Sequence, residues 1–107
     1  LEGARNSRVW ALAVCPISEQ RDAPRALELA GAMIASADTL PPAELDTIAA
    51  VYAANGRFSE AVTYQQRAID GVDAANKAMV RRMKERLKAY QGKLGWTQSY
   101  SIFEQNE

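Results

Sequence analysis

Between Leu45 and Ile69 two helix-period apolar stripes are separated only by Asn55-Gly56-Arg57, and this closeness constrains the fold more than any other feature of the chain. The first stripe, Leu45, Ile48, Ala49, Tyr52, follows i, i+3, i+4, i+7 after Pro41-Pro42. The second starts near Phe58 or Ser59, where Ser59 is a candidate cap, and carries Ala61, Val62, Tyr64, Gln65, Ala68 and Ile69. Gly56 supplies the left-handed conformation that helix ends favour. The segment therefore reads as two antiparallel helices in close contact.

The same signals extend outward. The apolar stretch 9–14 ends at Cys15-Pro16, because proline disfavours the α conformation in the residue before it. Asp22 as cap and Pro24 in the first turn open a helix expected over 23–37, with Ala26, Leu29, Ala30, Met33 and Ala37 on one face. Residues 76–91 place Val80, Met83, Leu87 and Tyr90 at three- and four-residue intervals, the stripe of a polar helix that docks on one side only. From Gly92 the composition shifts to Trp96, Tyr100, Ile102 and Phe103 among polar residues and reads as an extended tail. Alanine is the commonest residue, and Val, Ile and Thr form no runs, so an all-α domain is expected. At 107 residues there is material for one domain.

Composition narrows the chemistry. The 13 Lys and Arg balance the 13 Asp and Glu, which argues against a surface given over to nucleic acid or an anionic membrane. With no histidine and a single cysteine, the commonest general base and metal ligand are missing, and no internal disulfide is available. Cys15 lacks a histidine partner to activate it and reads as a small buried residue. Neither a catalytic residue, a metal site nor a cofactor is expected, and the chain reads as a non-enzyme. No stretch reaches the roughly 20 apolar residues of a membrane span. The chain opens at Leu1 without a Met and is expected to be part of a larger protein.

Residues 45–69 resemble a tetratricopeptide repeat, the roughly 34-residue helix-turn-helix unit of α-solenoids. Leu45 and Ile48 match its bulky positions, Ala49 a small one, Tyr52 and Phe58 its aromatics, Gly56 its turn glycine, and Ala61 and Ala68 its small packing residues. Leu45 stands where the family usually has Trp, and no Pro follows the second helix. A weaker copy lies upstream, where the segment 26–34 aligns with 61–69 and Trp10 with Ala50. Its Trp, Cys-Pro and Arg-Asp pattern is similar to a bacterial subgroup of the family. The resemblance implies repeats at about 5–37 and 42–70, a capping helix at about 76–91 and a tail over 92–107.

It also implies a function: holding a protein or peptide partner in a concave groove lined by the first helix of each pair. The groove residues would be Trp10, Asp46, Ala50 and Ala53, with Trp10 readable equally as a core aromatic. Asp46, Thr47 and Ala50 occupy the places where clamp-type members grip a C-terminal acid with Lys and Asn, so that ligand is not expected. An alternative surface lies in the last helix. Lys77, Arg81, Arg82, Lys84, Arg86, Lys88 and Lys93 stand there against Glu85 alone, and Lys77, Arg81, Lys84 and Lys88 share one face. That face reads either as solvated or as the docking surface of a structural or regulatory domain that supports an attached catalytic or signalling unit. The remainder of the chain carries the balancing negative charge, which favours head-to-tail self-association at low salt. No aromatics interleave the cations, so nucleic acid is disfavoured. The expected compartment is aqueous, bacterial cytoplasm or periplasm.

Overall fold

The computed structural model describes residues 2–14 and 22–94; Cys15 and the 95–107 part of the tail lie outside the described residues. The described residues are all-helical, with no strand among them.

Local chemistry accounts for most helix ends. Helix α1 spans Glu2–Val14, up to the last residue described before position 22. Helix α2 (Ala23–Leu29) is capped by Asp22, whose carboxylate accepts the Arg25 N–H at 3.1 Å. The single helix expected over 23–37 is instead interrupted: α3 (Gly31–Ala35) follows after Ala30, and a 3-10 turn (Ala37–Thr39) completes the segment. Ala30 has ψ −7, and the poor helix former Gly31 comes next, although the Ile34 N–H still donates to the Ala30 carbonyl at 2.9 Å.

Helix α4 (Pro42–Ala54) begins with proline, where the missing N–H has no helical partner to lose. Asn55 closes it, and Gly56 follows at φ +76, a conformation that strains any side chain with a Cβ. The Asn55 amide also donates to the Ala23 carbonyl at 2.9 Å, tying the end of α4 to the start of α2. Helix α5 (Phe58–Gly71) has Arg57 at its N-cap without a side-chain cap, so Ser59 lies within the first turn and does not cap. Asn76 caps α6 (Lys77–Gln91), accepting the Met79 N–H at 3.3 Å.

Packing centres on α4. Eight of its thirteen residues are buried, in an unbroken run from Leu45 to Val51 plus Ala53, so it is covered on all sides rather than on one stripe. Helices α1, α2, α3 and α5 pack against it, while α6 packs on α5. Ala49, Ala61 and Ala68 are fully buried, small residues that let neighbouring helices approach closely. A Cβ on Gly71 would sit 3.1 Å from the Pro42 ring, a second close approach between α5 and α4.

Candidate functional site

A buried polar cluster joins α1, α4 and α6. Arg86 projects from α6 and donates from Nε to Asp46 Oδ1 at 3.0 Å and from Nη2 to Oδ2 at 2.9 Å, the bidentate geometry that planar guanidinium and carboxylate groups favour. Only 14% of the Arg86 side chain and 9% of the Asp46 side chain are exposed. The guanidinium also lies 5.2 Å from the centre of the Trp10 ring, a cation–π arrangement that brings α1 into the same cluster. Tyr90, one turn beyond Arg86, is fully buried, and its hydroxyl has no hydrogen-bond partner among the described residues. Burial pushes its phenol well above the ordinary value of 10.0, the Asp46 carboxylate adds to this, and Arg86 opposes it. On the α5 side, Gln65 Nε2 donates to the Met83 carbonyl at 2.9 Å while its Oε1 is buried without a partner.

This cluster decides where the expected groove residues stand. Asp46, Ala50 and Ala53 are buried, and Trp10 is half-buried against Arg86. The reading of Asp46, Ala50 and Ala53 as an open inner face is therefore corrected. Small side chains invite a neighbouring helix to close upon them, and α4 is the helix around which the others assemble. Asp46 does not present its charge to a ligand, because Arg86 takes both carboxylate oxygens. From sequence alone Arg86 is one more cation of the last helix, with no role of its own. Its signal in the sequence is that it falls between Met83 and Tyr90, on the buried side of α6.

Lys77, Arg81, Lys84 and Lys88 are all exposed on the other side of α6. They border a shallow depression of about 640 Å³ whose apolar surface comes from Ala74, Ala78 and Val80. None of the four cations forms an ion pair with a described residue, whereas Arg57 pairs with Glu60, Arg67 with Asp38 and Arg86 with Asp46. A smaller depression of about 300 Å³ lies where α3 approaches α4, between Met33, Ser36, Leu40 and Glu44, and gathers no comparable charge.

Among the described residues no group of three or more His, Cys, Asp or Glu is placed to hold a metal ion. No described helix is long and apolar enough to cross a membrane. No family model, curated protein or solved structure matches the chain.

Proposed function

We propose that this chain is a protein-interaction module of the tetratricopeptide type and that its partner docks on the outer face of α6. The repeat reading is supported by the order in which helices meet: α4 contacts α1, α2 and α5, and α5 contacts α4 and α6. Stacked helix pairs produce such neighbour-to-neighbour packing. In this reading α6 caps the second pair, and its face away from α5 is the one left for a partner.

The observation that carries the assignment of the surface is the depression along α6, where cations border an apolar surface in the open. The α4 face, by contrast, is covered. The test is selection of binding peptides by display against the whole chain, followed by measurement with two variants. Binders are expected to lose affinity for Arg81→Glu/Lys84→Glu and to keep it for Trp10→Ala. Binders that depend on Trp10 and ignore the α6 charges would return the function to the groove.

A further inference from the structure

The shape, charge and backbone state of the α6 face together define what it would receive. We infer that its partner is an acidic amphipathic helix of about three turns, which seats small apolar side chains against Ala74, Ala78 and Val80 and sets carboxylates against Lys77, Arg81, Lys84 and Lys88. The inference rests on the docking surface proposed above and deepens it.

Charge sets the sign. Four exposed cations border the depression against one carboxylate, Glu85, and none of the four is paired with a described residue. A basic partner would meet like charges, whereas an acidic one gains both attraction and speed of encounter.

Backbone chemistry sets the conformation. The peptide groups within α6 are hydrogen-bonded to one another, so this face offers no free edge on which an extended strand could pair. A helix satisfies its own backbone and so gives up no hydrogen bonds on docking, whereas an extended segment gains none from this face. From Lys77 to Lys88 the face spans eleven residue steps, roughly 17 Å at the rise of an α-helix, which corresponds to about three turns of a helix lying alongside.

The size of the apolar residues separates a protein partner from a lipid surface. Helices that insert into membranes present Trp, Phe or Leu to the acyl layer. Here Met83 and Tyr90 are buried within the protein and Met79 and Leu87 are half-buried, while the apolar lining of the depression consists of methyl-sized groups and one valine. Such a surface accepts side chains; it has none long enough to insert.

Fluorescence anisotropy with the whole chain tests this. The probe is a labelled 16-residue peptide, roughly four turns of helix so that about three remain when its ends fray, with Ala and Val at i, i+3, i+4 and i+7 and Glu beside them. Controls are a scrambled peptide of the same composition, the Glu→Gln peptide, and phosphatidylglycerol vesicles. The expected result is saturable binding of the amphipathic peptide at physiological salt. Arg81→Glu/Lys84→Glu should weaken it by about tenfold or more. Ala78→Gln, which adds bulk at an exposed position without charge, should weaken it too. Equal binding of the scrambled peptide, indifference to Ala78→Gln, tighter binding to vesicles, or self-association of the chain through this face at physiological salt would each overturn the inference. If display yields α6-dependent binders that are not acidic helices, the docking surface stands and the partner class falls.

Discussion

Asp46 and Arg86 illustrate how much one side chain depends on another 40 positions away. Each is nearly excluded from solvent, and each satisfies the other through two hydrogen bonds. Arg86→Met leaves Asp46 buried and uncompensated, and chemical denaturation should show a loss of about 3–5 kcal/mol. Adding Asp46→Leu should restore most of that stability, because a pair of apolar side chains of similar volume needs no partner in a buried site. Tyr90 is the converse case, a buried hydroxyl with no partner. Tyr90→Phe removes a desolvated polar group while keeping the ring, so stability at neutral pH should be unchanged or raised by up to about 1 kcal/mol. The folded-state pKa of Tyr90 lies above its unfolded value of 10.0, so its contribution is intact below pH 10 and falls as pH rises beyond it, where the unfolded chain ionises first. Denaturation series from pH 8 to 11 should show a steeper alkaline decline for the parent chain than for Tyr90→Phe.

At the scale of helices, the close approach of α4 and α5 depends on side chains that are absent or small. Ala61 is fully buried in the first turn of α5. Ala61→Leu must find room for three further carbons, with an expected cost of about 1–3 kcal/mol. An unchanged denaturation midpoint would contradict the tight hairpin. Helix α6 has a structural duty on its inner side besides its charged outer side. Ending the chain at Gly71 removes the partners of both Asp46 and the Gln65 amide and uncovers the α5 surface beneath Met83. The truncated chain should aggregate or oligomerise in light scattering; a stable monomer would show that α6 is dispensable. The stacked Tyr52 and Tyr64 rings, 5.5 Å apart and flanked by Arg57 and Arg67, add a second link between α4 and α5 on the half-exposed side of the hairpin.

For the whole molecule, zero net charge conceals a separation of charge. The basic excess is gathered at α6, and the compensating carboxylates are distributed over the rest of the chain. Molecules arranged this way attract one another head to tail when screening is weak, and the attraction fades as the Debye length shortens to about 8 Å at physiological salt. Sedimentation velocity should therefore show concentration-dependent association at low ionic strength that disappears near physiological salt. Arg81→Glu/Lys84→Glu should abolish it. Association that persists at physiological salt would point to an apolar interface instead.

The sequence by itself determined where most helices begin and end, because the deciding interactions are local. Proline at 42, the Asp22 cap and the Asn55-Gly56 turn act within a few residues of themselves, and the hairpin of α4 and α5 follows from the shortness of the turn between them. The exposed basic face of α6 was legible for the same reason, as a property of one helix and its period. Tertiary structure decided which faces are covered. Asp46 and Thr47 gave α4 the pattern of a helix with one wet side, yet its central position buries both, with Thr47 donating to the Ala43 carbonyl and Asp46 engaging Arg86. Periodicity tells which residues share a face, but only the arrangement of the other helices tells whether that face meets water or a neighbour. A charge at a helix position is therefore ambiguous until its counter-charge, here 40 residues away, has been brought beside it.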